Sequence, residues 1–114
     1  MSKEQPQIFR VQIETKSPDT SDKILESKRI PEGLKVLIRN IFVGDLTTDA
    51  KTVRIGFRSK GTIHWIIRKT LGTGVYTLSL TGSIILDSGE TVCGMIESPT
   101  ANDTIILYAF GEYL

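Results

Sequence analysis

Most of this chain alternates apolar and polar residues with a period of two, the pattern of a β-strand that is buried on one face only. Near the N-terminus Phe9, Val11 and Ile13 alternate with charged or amide residues, and the stretches 53–58 and 75–80 alternate in the same way. No long stretch carries the i, i+3, i+4, i+7 apolar stripe of an amphipathic helix. The sequence therefore predicts strands almost throughout.

Clusters rich in Gly, Pro, Asp and Asn separate these runs, and each cluster favours a turn because its residues supply positive φ, remove a donor or bond to nearby backbone. We expect almost no helix, and the segment 22–28 is the one place where a short helix could intrude. About eight strands in a chain of this length predict an all-β antiparallel β-sandwich. A jelly roll, with its double Greek key, is favoured over an immunoglobulin-type sandwich because one Cys and one Trp cannot supply the Cys, Trp, Cys spacing. The turn clusters are at 31–33, 43–50, 59–62, 71–74, 81–83, 87–89 and 98–103.

The length of 114 residues predicts one compact domain. We expect residues 1–20 to form an N-terminal arm or a first edge strand, and residues 21–114 to form a single β-sandwich domain. The polar N-terminus lacks the apolar region of a secretory signal, and no apolar run is long enough to span a membrane. Cytoplasmic synthesis, without a membrane partner, is the expectation.

The sequence offers little for catalysis. Cys93 is the only cysteine and His64 the only histidine, so neither a thiol–imidazole pair close in sequence nor a metal site built from several histidines is available. We expect Cys93 to be a small buried residue and His64 to lie at the rim. The prediction is a protein without enzymatic activity, metal or cofactor.

The charges are divided along the chain although the formal net charge is only +1. Residues 50–86 contain Lys and Arg but no Asp or Glu, whereas residues 87–114 contain only acidic charges. In a jelly roll the last two strands are expected beside the basic strands at 51–59 and 62–70, one in each sheet, so acidic strands would flank basic ones. The residues predicted to make electrostatic contacts, within the chain or between copies, are Arg54, Arg58, Arg68, Glu90, Glu97 and Glu112.

The two basic strands are not expected to pair with each other. A hairpin between them would bring Arg54 close to Arg68, and like charges opposite each other are destabilising. A two-residue turn would also set Phe57, on the apolar phase, opposite His64. We therefore expect these strands to lie in different sheets, with Trp65 in the core.

Two strands are apolar on both faces, at 34–43 and 105–113, although a sandwich strand has only one inner face. The phase of the first strand breaks near Asn40 and indicates a β-bulge. A surplus apolar face predicts an interface with copies of this chain or with other proteins, unless the segment 1–20 folds over it. The predicted interface residues are Leu37, Ile41, Val43, Ile106, Tyr108, Phe110 and Tyr113.

Two other ligand classes remain open at this point. A nucleic acid would use the basic stretch, but it is disfavoured because Phe57 and Trp65 share the apolar phase and the isoelectric point is near 7.8. A carbohydrate would stack on an exposed aromatic ring, for which Tyr76, Tyr108 and Tyr113 are the candidates. The sugar-binding module is the alternative to an assembly protein.

The order of "IPEGLKVLIRNIFV", "KTVRIGFRSKGTIHWI", "GVYTLSL", "IILDSGETVCGMIES" and "ANDTIILYAFGEYL" resembles the small jelly-roll proteins of tailed-bacteriophage virions over residues 25–114. The resemblance is carried by a strand that ends before "LDSGE", a bulged strand, an "ND" turn and a final strand with "AFGEYL". It implies a neck, head-decoration or tail-associated protein that binds itself and other virion proteins without catalysis. It also implies a location in the virion after synthesis in the host cytoplasm.

Overall fold

The computed structural model describes residues 7–114, which form eight strands and no helix. The strands build two four-stranded antiparallel sheets packed face to face, which confirms the predicted all-β sandwich. The eight strands are β1 (Ile8–Lys16), β2 (Lys23–Glu26), β3 (Val36–Asp45), β4 (Thr52–Ser59), β5 (Thr62–Thr70), β6 (Thr77–Leu86), β7 (Thr91–Glu97) and β8 (Thr104–Tyr113).

Late strands lie between early ones in both sheets. The order in sheet A is β1-β8-β3-β6, and the order in sheet B is β2-β7-β4-β5, the interleaved connectivity of two Greek keys. The last strand, β8, is therefore not beside the strand at 62–70, contrary to the prediction, because that strand belongs to the other sheet. The segment 22–28, the one place where a short helix could intrude, contains β2 instead, whose backbone pairs with β7.

The core lies between the sheets, where the inward side chains of all eight strands meet. Gly94 of β7 marks a close approach of the two sheets, since a Cβ atom there would lie 2.6 Å from Cγ2 of Val43 on β3. Only a glycine leaves this contact unstrained. The largest fully buried side chains are Ile30, Ile38, Ile41, Ile55, Leu86, Ile96, Ile105, Leu107, Val36, Val43, Val53 and Val92.

A β-bulge at Arg39 reverses the phase of β3. The register with both neighbouring strands shifts between Ile38 and Asn40, as the sequence indicated. Even-numbered residues of β3 therefore point inward before the bulge, and odd-numbered residues point inward after it. Ile41 and Val43 are accordingly only 2% and 0% exposed. The second apolar phase of β3 thus fills the core, and the prediction that these two residues lie on a partner surface is wrong.

The strands β4 and β5 form a hairpin, contrary to the prediction that they lie in different sheets. Lys60 and Gly61 make the turn with φ of 52° and 82°, and two positive φ angles suit the twist of a two-residue hairpin. Arg54 is the direct cross-strand partner of Arg68, and a contact with an acidic residue, described below, offsets the repulsion between them.

A second β-bulge, in β5, turns Trp65 away from the core. Ile55 pairs with Ile67 while Gly56 pairs with Trp65, so Ile66 has no partner and the phase reverses there. Trp65 therefore stands half-buried on the outer face of sheet B, contrary to the prediction that it lies in the core.

Candidate functional site

The outer face of sheet A is organised around one row of residues that crosses all four strands. In this central row Gln12 of β1 pairs with Tyr108 of β8, Tyr108 pairs with Phe42 of β3, and Phe42 pairs with Ser79 of β6. The side chains point outward because each lies between two core residues of its strand. The row therefore places two aromatic rings at the centre of the face.

A parallel row flanks the central row on each side, two residues away along each strand. The rows differ in charge, because one begins with an arginine and the other with a glutamate at the β1 edge. The first flanking row is Arg10, Phe110, Asn40 and Thr81, and the second is Glu14, Ile106, Gly44 and Thr77.

The middle of the face is aromatic, and the members of the three rows on the edge strands β1 and β6 are polar. The rings of Phe42 and Phe110 meet edge to face with centroids 6.2 Å apart. The hydroxyl of Tyr108 donates a hydrogen bond to Oε1 of Glu14 at 3.0 Å, and this carboxylate raises the pKa of the phenol. At the margins Ile8 and Ile85 are 76% and 59% exposed. An aromatic centre within a polar and charged rim is typical of protein-binding faces.

Four of the predicted interface residues lie on this face. Leu37, Tyr108 and Phe110 point outward and are half-buried. Ile106 also has the outward phase, but it is 3% exposed and so offers little surface. The second apolar phase of β8 is therefore an outer face.

The other three predicted residues belong to the core. Ile41 and Val43 were discussed above with the β3 bulge, and Tyr113 is half-buried with its ring edge-on to Phe9 at 5.8 Å. Phe42 is the residue that sequence reasoning missed. The bulge that the sequence indicated near Asn40 was the available signal, since counting past it gives Phe42 the outward phase.

Three arginines of the basic strands of sheet B pair with acidic residues of the same chain. Nε of Arg54 and Nε of Arg68 each donate to Oε2 of Glu97 at 2.7 Å. The two guanidinium groups lower the pKa of Glu97 to about 2. Arg54 also lies 5.8 Å from the ring centroid of Trp65. This cluster explains why two arginines tolerate a direct cross-strand position.

A second ion pair of sheet B, between Arg58 and Glu26, covers Cys93. Arg58 donates through Nε to Oε2 of Glu26 at 2.9 Å, and the hydroxyl of Thr91 donates to the same carboxylate. Cys93 lies beside this group and is fully buried, which raises the pKa of its thiol. Three of the arginines that a nucleic acid would use therefore already contact carboxylates.

The remaining predicted electrostatic residues are also engaged within the chain. Glu112 accepts from Nη2 of Arg39 at 2.6 Å on the outer face of sheet A. Glu90 accepts from the backbone N–H of Asp87 at 2.7 Å and so stabilises the turn before β7.

A buried carboxyl pair was not predicted. Asp45 and Asp103 are 0% and 4% exposed, and the N–H groups of Thr47 and Thr48 both donate to Oδ1 of Asp45 at 3.0 Å. Within residues 7–114 neither Oδ2 atom accepts from an N–H or hydroxyl group. Burial and the neighbouring carboxylate raise the pKa of Asp45, while the pKa of Asp103 is lowered.

A groove of about 580 Å³ opens between the β1 edge of sheet A and the segment that follows β2. Phe9 and Tyr113 are among its apolar lining, and Gln12, Lys28 and Arg29 are among its polar lining. Its volume lies within the range of small-ligand sites.

No group of three or more His, Cys, Asp or Glu that could hold a metal ion occurs in the described part of the chain. His64 is exposed, as expected, and stacks on Phe57 with centroids 5.2 Å apart. None of the described residues belongs to a helix that could cross a membrane.

No protein-family model and no curated protein matches the sequence. Among solved structures, the Drosophila NLP core, studied for pentamer formation and histone binding, is similar with a TM-score of 0.49 and 8% identity, over 93% of this chain and 98% of that chain. A protein of Bacillus endospore appendages, a family of disulfide-linked pili, is similar with a TM-score of 0.49 and 19% identity, over 99% of this chain and 93% of that one. At such identities the likeness concerns backbone shape alone.

Proposed function

We propose that this chain is a non-enzymatic structural protein that assembles with copies of itself, and with other proteins of a particle, through the outer face of sheet A. The observation that supports the proposal is the aromatic centre of this face, formed by Phe42, Tyr108 and Phe110. Large aromatic side chains at the centre of a patch, rimmed by charges, are typical of the residues that dominate binding energy.

The described part of the N-terminal segment does not cover this face. Residues 8–16 form β1, which extends sheet A at its edge through hydrogen bonds to β8. The strand therefore lies in the plane of the sheet, and the alternative in which the segment 1–20 folds over the apolar face finds no support in residues 7–20. Residues 1–6 lie outside the described residues.

The particle that we propose is the virion of a tailed phage, as a neck, head-decoration or tail-associated component. The resemblance of residues 25–114 to virion jelly-roll proteins supports this setting. The sandwich suits a structural role, because the outer face of sheet A presents an aromatic centre while Arg54, Arg58 and Arg68 of sheet B already pair with carboxylates.

Light scattering of the purified chain over a range of concentrations tests the proposal. We expect a discrete multimer that the double variant Phe42→Ser, Phe110→Ser reduces to a monomer. The matched control is Ile24→Ser, because Ile24 is 46% exposed on the outer face of sheet B. A wild-type monomer that binds no particle protein, or an equal effect of the control, would contradict the proposal.

Carbohydrate binding is the second candidate function. The groove beside β1 is a more suitable site for it than the outer face of sheet A. The ring of Tyr113 lines this groove together with hydrogen-bonding side chains such as Gln12. An aromatic wall with polar neighbours suits a sugar ring. Binding on a glycan array that Gln12→Ala weakens would support this function, and a blank array would remove it.

A further inference from the structure

We propose that two copies of this chain pack face to face about a two-fold axis that follows the central row of sheet A, so that Arg10 of each copy contacts Glu14 of the other. This inference rests on the proposed function and adds the identity and orientation of the partner. The supporting observation is the register of the four strands of sheet A, which aligns their outward residues in rows.

The positions of the two charges on β1 are symmetric about the axis. Arg10 and Glu14 lie two residues before and after Gln12, which is about 7 Å along the strand in each direction. Consider a two-fold axis that lies in the plane of the interface and runs across the strands. It places each strand over the same strand of the partner, with the two strands running in opposite directions. Arg10 is thereby placed over Glu14 of the partner, and the symmetry repeats the pair.

The same two-fold rotation places large side chains of the other strands over small or buried ones. On β3 it places the side chain of Asn40 over Gly44, which has none. On β8 it places Phe110 over the almost fully buried Ile106, while Tyr108 meets its own copy on the axis. The aromatic centre therefore faces itself, and no like charges of β1 are opposed.

The alternative two-fold axis, parallel to the strands, also brings the apolar centres together. It would place β1 over β6, so that Arg10 meets Thr81 and Glu14 meets Thr77. No ion pair forms between these rows in that arrangement. Because facing sheets are about 10 Å apart, the long side chains of Arg10 and Glu14 reach across the interface. The charges therefore favour the axis across the strands.

Charge reversal tests the arrangement in the full chain. Arg10→Glu and Glu14→Arg each replace two attractive contacts with two repulsive ones, and each should weaken self-association on the order of a hundredfold. The double variant Arg10→Glu, Glu14→Arg restores opposite charges and should associate like the wild type. An equimolar mixture of the two single variants should form a heterodimer, measured by light scattering and by pull-down with one tagged copy.

Lys69→Glu is the control, since it makes the same charge change at an exposed residue of β5, in the other sheet. It should leave association unchanged. If the wild type associates and Phe42→Ser, Phe110→Ser abolishes this, but the charge variants all behave like the wild type, the two-fold arrangement is overturned and the proposed function stands. A double variant as weak as the single variants overturns the arrangement in the same way. A wild type that stays monomeric contradicts self-association itself.

Discussion

Arg54 and Arg68 are direct cross-strand neighbours, and both donate to the same carboxylate oxygen of Glu97. Like charges in this position repel, so the hairpin between β4 and β5 depends on an acidic residue from a third strand. That strand, β7, is far away in sequence but adjacent to β4 in sheet B. The contact links the divided charges of the sequence to the order of the strands.

Glu97→Gln should therefore lower the free energy of unfolding by about 1–2 kcal/mol, because two adjacent guanidinium groups lose their common carboxylate. Urea denaturation at neutral pH measures this loss. Glu112→Gln is the control, since its single pair with Arg39 is more exposed and should be worth less than about 1 kcal/mol. Equal losses in the two variants would contradict the shared role of Glu97.

Acid should weaken the same cluster. The pKa of Glu97 falls from an ordinary 4.5 to about 2 in the folded chain, so its stabilising effect is complete above pH 4.5 and is lost as the pH falls through about 2. Denaturant midpoints measured between pH 5 and pH 2 should decrease in the wild type. The decrease should be shallower in Glu97→Gln, and identical pH profiles would contradict the prediction.

The outward position of Trp65 predicts a modest effect of its removal. Trp65→Ala should cost about 1–2 kcal/mol of unfolding free energy, since the ring is half-buried and loses its contact with Arg54. Ile55→Ala, on the neighbouring strand but fully buried, should cost about 2–5 kcal/mol. A larger loss for Trp65→Ala than for Ile55→Ala would show that the tryptophan packs in the core.

Gly94 should not tolerate a side chain while Val43 faces it. Gly94→Ala places a methyl group against Cγ2 of Val43 and should cost about 1–3 kcal/mol through overpacking. Val43→Ala alone leaves a cavity, and the methyl group of the double variant would partly fill it. The double variant should therefore lose at least about 0.5 kcal/mol less than the sum of the single losses. Additive losses, measured by urea denaturation, would exclude the contact.

The buried carboxyl pair should make the chain less stable as the pH rises. The pKa of Asp45 is raised above its ordinary 3.8 in the folded chain. Between pH 3.8 and the folded pKa, the unfolded chain binds fewer protons than the folded chain does. The free energy of unfolding therefore falls as the pH rises through this range. Asp45→Asn keeps the acceptor for the N–H groups of Thr47 and Thr48 without the charge. It should remove this fall and so raise the free energy of unfolding at pH 7.

Asp103→Asn is the control for this pair, because it removes the neighbouring charge and leaves the burial of Asp45 unchanged. It should reduce the fall in stability with rising pH less than Asp45→Asn does. A variant Asp45→Asn whose stability falls with rising pH as steeply as that of the wild type would contradict the raised pKa of Asp45.

Much of the fold could be predicted from local patterns. The alternation of residues such as Phe9, Val11 and Ile13 sets one inner face for each strand, and Gly and Pro clusters end the strands. The bulge near Asn40 was also visible as a break in phase. The segment 22–28 was ambiguous, because a short charged strand becomes extended only when a neighbour such as β7 pairs with it.

The candidate site was predictable in part. The two apolar phases of β8 indicated an outer face, and Leu37, Tyr108 and Phe110 do lie on it. A bulge exchanges the inward and outward positions of the residues that follow it. The prediction did not include this exchange, and it therefore placed Ile41 and Val43 on the surface. The pair Asp45 and Asp103 left no pattern in the sequence, since the two residues are far apart along the chain and meet only through packing.

The sequence alone determined the class of the fold, the approximate number of strands and the division of charge along the chain, because these follow from periodicity, turn residues and composition. Only the tertiary structure decided which strands are neighbours, and hence that Glu97 lies against both Arg54 and Arg68. Pairing depends on backbone hydrogen bonds and on contacts between distant segments, and neither is encoded in the order of residues within one strand. The row that aligns Gln12, Tyr108 and Phe42 exists only once three such segments are in register.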